Sequence, residues 1–413
     1  MRASKPVRMR RVTALLVAGM ITLVFAPAAA AQSPTSSPDP LQERERILGD
    51  ATEAAPVGVG VSHREFTTTA ESGQVMGDIV EVDLTQPGVR TDLLSSGTVA
   101  GRATVAGMAN RSGAVAGING DFFDIGRTNA AAGPAIKDGR SIKAAVPQGR
   151  RAAPAVAGAE MDYVFAVGAD RVGRVDRLQL TAEVRGPQGN LPVVALNQHA
   201  VPEGGIGIFN ADWGDADRGK TLCGSDADRN APCAADRVEV VVRSGAVAAV
   251  GPPGRGSVPD DEIVLVGRDQ GAESLRSLSV GQELQVDYAL VPASGAVPQF
   301  AVGGSPILRD GGPTERLDDR YRAPRSAVGV SPDGHRMYLV TVDGRQDDSI
   351  GATLAELSAL LQEMGIDDAV NLDGGGSSTL VYRGSGANAV TVVNDPSDSS
   401  PRLVGNGIGV YLD

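Results

Sequence analysis

The most informative segment of the sequence is Ala369-Val370-Asn371-Leu372-Asp373-Gly374-Gly375-Gly376-Ser377-Ser378, close to the C-terminus of the chain. Its first four residues are mostly apolar and predict a short buried strand. The strand ends in a carboxylate, three glycines and two hydroxyls. Because a run of glycines costs backbone entropy and offers no packing, it indicates a place where the backbone approaches a ligand. Converging amides of such a run can hold an anion, with the hydroxyls as further donors.

A helix with defined ends is predicted just before this strand, over Thr353–Met364. Thr353 and Glu356 fit a capping box, and Gly365 fits a C-terminal stop. One apolar stripe falls at helical spacing: Leu354, Leu357, Leu361 and Met364. Capping and periodicity therefore agree on the same element.

Strand patterns dominate the rest of the chain, most clearly from 161 to 290. Further elements are predicted at these positions: a hairpin of 327–330 and 337–342 turning at Pro332-Asp333-Gly334, and short helices at 104–111 and 272–278. We therefore predict an α+β fold of mixed, β-rich sheets with a few flanking helices. Residues 53–413 are expected to form a single catalytic domain, with 150–298 as a β-rich insertion.

The N-terminus has the pattern of a secretory signal peptide. Five basic residues within 2–11 precede an apolar run, Val12–Phe25, and the small residues 28–31. A run of fourteen residues is too short to cross about 30 Å of hydrocarbon, which argues against a membrane anchor. We predict a signal peptide over 1–31 and a disordered, Ser/Pro-rich spacer over 32–52. After cleavage, no transmembrane segment is expected, and the protein should be secreted or associated with the cell wall.

Composition argues against nucleic-acid binding. The 413 residues include 50 acidic and 38 basic side chains, for a formal net charge of −12, and only 3% are aromatic. An acidic surface repels phosphate backbones, and so few aromatic rings cannot provide a base-stacking platform.

The chain has two cysteines, Cys223 and Cys233, in a polar loop. In an oxidising compartment a disulfide closing this loop is expected. A metal-binding pair is the alternative, although no histidine lies nearby in the sequence. Acidic clusters, including the aspartates of this loop, are compatible with a divalent cation, but no ligand spacing requires a metal or any other cofactor.

Polar groups follow apolar strands at three places, namely Asn119-Gly120-Asp121, Asp343-Gly344-Arg345 and Asp373–Ser378. A carboxylate at a strand end is held on a rigid element and can face a cleft, which suits catalysis. Arg325 and Arg345 offer forked, permanently charged donors for a phosphate. Asn-Gly and Asp-Gly are also common turn dipeptides, so a purely structural turn stays open at the first two places.

A set of motifs, taken in chain order, resembles the phosphodiester glycosidase family. The motifs are Asn119-Gly120-Asp121-Phe122-Phe123, Gly303–Leu308, Pro324–Gly329, Val342-Asp343-Gly344-Arg345, Gly351–Leu357, Asn371–Thr379, and Asn394 with Pro396-Ser397-Asp398. The resemblance covers 114–413, interrupted by 150–298. It implies a hydrolase that cuts the bond between a sugar anomeric carbon and a phosphodiester.

The resemblance and the residues together suggest roles within one site. A phosphate monoester is an acidic leaving group, so the usual pair of carboxylates is not obligatory. We predict Asp373 as the first and Asp343 as the second choice of catalytic carboxylate. Asn119 is expected to bind sugar hydroxyls. The full set predicted to bind substrate or phosphate is Asn119, Gly120, Asp121, Arg325, Arg345, Gly374, Gly375, Gly376, Ser377, Ser378 and Asn394.

The expected partner is a phosphorylated glycan of the cell wall or an exopolysaccharide. Two other functions stay open from the sequence. A non-catalytic glycan- or wall-binding protein would bind such a ligand and release no product. A metal-dependent phosphodiesterase would cut the P–O bond and release sugar-1-phosphate plus an alcohol.

Overall fold

The computed structural model describes residues 52–70, 72–150 and 160–413 of the chain. Every described residue belongs to one compact unit, Pro40–Asp413. The predicted signal peptide, and the predicted spacer apart from Thr52, lie outside the described residues. None of the described helices is long and apolar enough to cross a membrane.

Two antiparallel sheets form the part of the fold that carries the predicted site. The first sheet has eight strands in the order β1-β2-β3-β21-β20-β22-β18-β19. These are β1 (Ala55–Gly58), β2 (Val61–Ala70), β3 (Gly73–Asp83), β18 (Ser305–Arg309), β19 (Gly312–Pro313), β20 (Arg325–Val330), β21 (Arg336–Val342) and β22 (Asp368–Asn371). The second sheet has the order β24-β23-β5-β25-β4. Its strands are β4 (Val89–Ser95), β5 (Ala116–Asn119), β23 (Leu380–Tyr382), β24 (Thr391–Val392) and β25 (Asn406–Leu412).

Two further sheets come largely from the middle of the chain. The third sheet has the order β10-β9-β8-β17-β6-β7, and β16 also pairs with β9. Its strands are β6 (Ala135–Lys137), β7 (Arg140–Lys143), β8 (Tyr163–Gly168), β9 (Gly173–Gly186), β10 (Gly189–Pro192), β16 (Gln285–Pro292) and β17 (Pro298–Gly303). The fourth sheet has the order β11-β12-β15-β13-β14. Its strands are β11 (Ala195–Leu196), β12 (Ile206–Phe209), β13 (Arg237–Arg243), β14 (Ala246–Gly251) and β15 (Glu262–Arg268).

The described residues include three α-helices: α1 (Val105–Ser112), α2 (Gln270–Arg276) and α3 (Leu354–Glu363). Helix α3 has the predicted capping box, in which Thr353 and Glu356 each bond the other's backbone amide. The β-rich α+β fold predicted from the sequence is thus confirmed. The third sheet continues past 150–298 into β6, β7 and β17, and the proposed insertion stays a prediction.

The first sheet carries a core on each face because its side chains alternate along the strands. Ile79 pairs with Val340, and both pack with Leu357 of α3. One residue further along β3, Val80 pairs with Leu339 and faces the second sheet. Side chains of the second sheet in that cluster include Ile118, Leu380, Ile408 and Val410. The first sheet therefore lies between α3 and the second sheet, which fixes the strand ends that carry the site.

The expected disulfide is present between Cys223 and Cys233. It links two residues that also form an isolated antiparallel bridge, so it closes a compact loop. Both cysteines are consumed by this bond, and the described part of the chain has no free cysteine. The alternative of a metal-binding pair is therefore wrong.

The cap of α3 supports a stability prediction. Replacing Thr353 by Ala removes the hydroxyl that accepts the Glu356 amide hydrogen bond, and such a loss typically costs about 1 kcal/mol. The Thr353→Ala variant should lower the free energy of unfolding by that amount in urea denaturation followed by circular dichroism. Glu363→Ala, on the exposed side of the same helix, is the matched control and should stay within about 0.5 kcal/mol. Equal effects of the two variants would contradict the cap's contribution.

Candidate active site

Three strand ends of the first sheet meet at one edge. Strand β20 begins at Arg325, which pairs with Val342 at the end of β21. On its other side β20 pairs with β22, which ends at Asn371. Because both neighbours run antiparallel to β20, its start lies beside both of their ends. Asp343 and Asp373 follow those two strands within two residues and so emerge at the same edge.

A cleft of about 930 Å³ opens at this edge. Its lining holds six arginines and three aspartates, although the chain as a whole is acidic. The lining residues are Phe122, residues 316–323, Arg325, Arg345, Leu354, Asn371, Asp373, Gly374, Gly375, Gly376 and Arg402. Two smaller cavities, of about 170 and 220 Å³, contain none of the residues predicted for the site. The arginine-lined cleft is therefore the candidate active site, because it is larger than these two cavities and contains predicted site residues.

Asp373 is half-buried in the lining of this cleft. Its carbonyl oxygen accepts a hydrogen bond of 2.6 Å from the Asn119 side chain, and its amide donates to the Gly120 carbonyl at 2.9 Å. Burial raises the pKa of Asp373 to about 7, against the hydrogen bond from Ser377 and the charge of Arg402. Its carboxyl group can thus exist as acid or base near neutral pH, which suits proton transfer.

The glycine run forms a tight turn, with Gly375 in the left-handed region at φ 62. Its donors are mostly used within the protein. The Gly375 amide donates to the Pro324 carbonyl at 2.8 Å, and the Gly374 amide bonds the Asp373 carboxylate. Ser377 and Ser378 are fully buried. Internal bonds occupy the Gly374 and Gly375 amides and burial covers both serines, whereas all three glycines line the cleft. Phosphate binding by this turn stays a prediction.

Guanidinium groups supply the cations of the cleft. Arg325 is held by hydrogen bonds to the carbonyls of Ala352, at 2.8 Å, and Tyr321, at 2.6 Å. Burial lowers the pKa of Arg325, and the nearby positive charge of Arg345 acts in the same direction. Arg345 is exposed and adopts a left-handed backbone, φ 63, which is costly for a residue with a Cβ. Its side chain lies over Gly375, where an added Cβ would be 3.3 Å from Nη1.

Asp343 lies behind the cleft and does not line it. It is only 7% exposed, and its carboxylate accepts hydrogen bonds of 3.1 Å from the Asn394 side chain and from the Asp395 amide. Burial raises the pKa of Asp343 to about 7. Asn394 also donates to the Ser378 carbonyl at 3.2 Å, so it ties Asp343 to the glycine turn. Both residues thus lie outside the cleft lining and contact the turn that carries Asp373, and their predicted catalytic and binding roles stay predictions.

Asn119 was expected to bind sugar hydroxyls, but its side chain is bonded within the protein. Its side chain is fully buried, and its oxygen accepts hydrogen bonds from the Ser326 hydroxyl at 2.7 Å and the Thr379 amide at 3.0 Å. A sugar hydroxyl has no access to it. Asp121 is 2% exposed, and its carboxylate accepts from the amides of Phe122 and Gly133. Asn119 and Gly120 therefore bond the backbone of Asp373 from inside the protein.

Most of the cleft lining was not predicted from the sequence as site residues, including Arg402, Phe122, Asn371 and the segment 316–323. Arg402 pairs with Asp398 at 2.8 Å and donates to the Ser377 hydroxyl at 3.3 Å. Phe122 and Asn371 were quoted only as parts of motifs. The Asn371 side-chain oxygen is buried and has no hydrogen-bond partner among the described residues. Motif membership could have suggested Phe122 and Asn371, whereas no local pattern marks Arg402.

Part of the chain is similar to a known protein family. Residues 236–411 match the family model "Phosphodiester glycosidase". The SPbeta prophage-derived protein YomE of Bacillus subtilis (strain 168), itself uncharacterized, is 33% identical over 125 residues. That match covers 29% of this chain and only 18% of YomE.

Two solved structures share the fold. A hypothetical protein from Synechocystis aligns with a TM-score of 0.70 and 21% identity, over 87% of this chain and 64% of that one. A protein of Burkholderia pseudomallei K96243, whose name suggests that it is exported, aligns with a TM-score of 0.64 and 22% identity, over 82% of this chain and 74% of that one. The resemblance predicted from the motifs is thus confirmed over residues 236–411, which match the phosphodiester glycosidase family.

Proposed function

We propose that the protein is a secreted hydrolase that cleaves the bond between a sugar anomeric carbon and a phosphodiester, giving a free sugar and a phosphomonoester. The observation that supports this most directly is a half-buried carboxylate, Asp373, in a cleft lined by six arginines, within the region that matches the phosphodiester glycosidase family. The proposed substrate is a phosphorylated glycan of a cell wall or an exopolysaccharide. The Cys223–Cys233 disulfide fits the oxidising environment outside the cell.

In the proposed reaction the carboxylate form of Asp373 takes a proton from water as the water oxygen bonds to the anomeric carbon. The bond between that carbon and the bridging phosphate oxygen breaks, and its electron pair leaves with the phosphate. Arg345 and Arg325 stabilise the charge that builds up on the phosphate. The leaving group is already a weak base, so a second carboxyl group in the cleft is not needed to protonate it.

The test of this function is the identity of the products. The mature protein is incubated with a panel of sugar-1-phosphodiesters, and the products are identified by mass. Free sugar plus phosphomonoester is the expected result. Sugar-1-phosphate plus alcohol would instead indicate a phosphodiesterase, and saturable binding with no product would indicate a glycan-binding protein. Either of these results overturns the proposal.

Asp373→Asn should lower kcat for the sugar-1-phosphodiester by about 10²- to 10⁴-fold, because the amide cannot accept a proton from water. The matched control is Asp260→Asn, which removes an exposed carboxylate that does not line the cleft. Both variants are compared by initial rates at saturating substrate. Asp373 has no role in the chemistry if its variant turns over as fast as the control.

Arg345→Ala should lower kcat/KM by about 10²-fold, since the lost guanidinium would contact the phosphate both in the bound substrate and in the transition state. Arg345→Lys should recover only part of the loss because an ammonium lacks the forked geometry. Arg111→Ala removes an exposed arginine at the end of α1 and is the control for net charge. If Arg345→Ala and Arg111→Ala behave alike, Arg345 is not a phosphate ligand.

The raised pKa of Asp373 gives opposite pH dependences for rate and stability. The base form is active, so kcat/KM should rise with pH up to about 7 and then level off. In the same protein the unfolded carboxyl ionises near its usual pKa, while the folded one stays protonated up to about 7. Stability from this group is therefore full at low pH and is lost as the pH rises from about 4 to 7.

The Asp373→Asn variant isolates this contribution. It should unfold like the wild type at pH 4 and be more stable than the wild type at pH 8, by at least about 1 kcal/mol. Urea denaturation at the two pH values measures the difference. A variant that is less stable than the wild type at pH 8 would show that the ionised carboxylate is net stabilising, contrary to the assigned pKa direction.

A further inference from the structure

We propose that the outer wall of the cleft, residues 315–322, is a second anion subsite, and that the substrate is a polyanionic glycan with phosphates in successive repeats. This inference rests on the proposed function for the inner site, where Arg345 and Arg325 hold the phosphate next to Asp373. The outer wall would bind the following repeat of the same chain. Its residues 316–322 all line the cleft.

The backbone of this wall is held in place. Leu317 packs against the core cluster that contains α3. The carboxylate of Asp318 accepts hydrogen bonds from the amides of Arg320, at 3.3 Å, and Tyr321, at 3.2 Å. The Asp318 carbonyl accepts from the Ala355 amide in α3 at 3.1 Å. The wall is therefore a pre-organised segment, and its exposed side chains start from fixed positions.

Two arginines of the wall contribute little to the stability of the fold. Among the described residues, the ion pairs of Arg316 and Arg320 are with the acids next to them in sequence, at 4.0 and 3.7 Å, and their side chains are 74% and 84% exposed. Exposed ion pairs of this kind contribute almost nothing to stability. Arg322, in contrast, donates to the Gly351 carbonyl and pairs with Glu356. Arg316 also adopts a left-handed backbone, φ 58, a strained conformation that is common at ligand-binding positions.

Charge and size point to more than one phosphate. Two of the six arginines of the lining, Arg322 and Arg402, are paired with Glu356 and Asp398. The other four arginines are held less strongly by acids, whereas a single phosphodiester carries about one negative charge. The cleft volume of about 930 Å³ is at the upper end for a site that takes a single small molecule. Tyr321, 74% exposed on the same wall, offers an aromatic face for the apolar side of a sugar ring between two phosphates.

Binding of inorganic probes tests the second subsite without turnover. By calorimetry, tripolyphosphate should bind the wild-type protein at least 10-fold more tightly than orthophosphate. The double variant R316A/R320A should lose about 10-fold in tripolyphosphate affinity and keep orthophosphate affinity within twofold. Arg345→Ala should weaken both probes. The control R111A/R185A removes two exposed arginines from elsewhere on the chain and should change neither.

Two binding results would overturn the second subsite: equal losses for both probes in R316A/R320A, or the same loss in R111A/R185A, which would mean a general charge effect. A kinetic measurement then links the subsite to the reaction. For a phosphodiester-linked oligosaccharide, R316A/R320A should raise KM about 10-fold with kcat unchanged, and it should leave a single-repeat substrate unaffected. If no substrate is turned over, the proposed function fails, while the calorimetry still decides whether the outer subsite exists.

Discussion

The buried side chain of Asn119 is the interaction on which the site depends. One amide group joins three segments: its nitrogen donates to the Asp373 carbonyl, and its oxygen accepts from the Ser326 hydroxyl and the Thr379 amide. Asn119 ends a strand of the second sheet, whereas Ser326 belongs to the first. In a fully buried position each of these groups would cost about 1–3 kcal/mol if left without a partner. Asn119 therefore links the second sheet to the first and holds the backbone of Asp373 beside the cleft.

The cleft is rich in positive charge, whereas the chain as a whole is negatively charged. The protein carries a formal charge of −12, yet six arginines face a single opening. Loss of hydration outweighs the attraction of Arg402 for the Asp373 carboxylate, since the pKa of Asp373 rises to about 7. The same site thus combines a carboxyl group that is ready to change protonation with cations that favour an anionic ligand.

A single carboxyl group at the inner end of the cleft is consistent with the leaving group we propose. Ordinary glycosides need an acid to protonate a poor leaving group, and a phosphate does not. Asp343 fits this picture as a support. The buried Asp343 carboxylate accepts a hydrogen bond from Asn394. Asn394 also donates to the carbonyl of Ser378, in the turn that follows Asp373. In the proposed reaction guanidinium groups stabilise the anionic leaving group without the proton transfer that a second carboxyl group would supply.

Local sequence was enough to determine several parts of the protein. The caps and apolar stripe predicted α3, the turn residues predicted the β20–β21 hairpin, and the two cysteines predicted their disulfide. These features depend on neighbours in the chain, so spacing and residue type suffice. The same holds for Asp373, whose position after an apolar strand and before three glycines marked it as a site candidate.

The tertiary structure alone decided which of the other predicted groups face the cleft. Ser377 and Ser378 are adjacent to Asp373 in sequence, but packing buries them. Arg402 has no local signal and enters the lining because the chain returns past the glycine turn. Asp343 directly follows a neighbouring strand and is still buried, with its carboxylate bonded to Asn394. Burial and partner choice arise from contacts between distant segments, and the periodicity of a single segment carries no information about them.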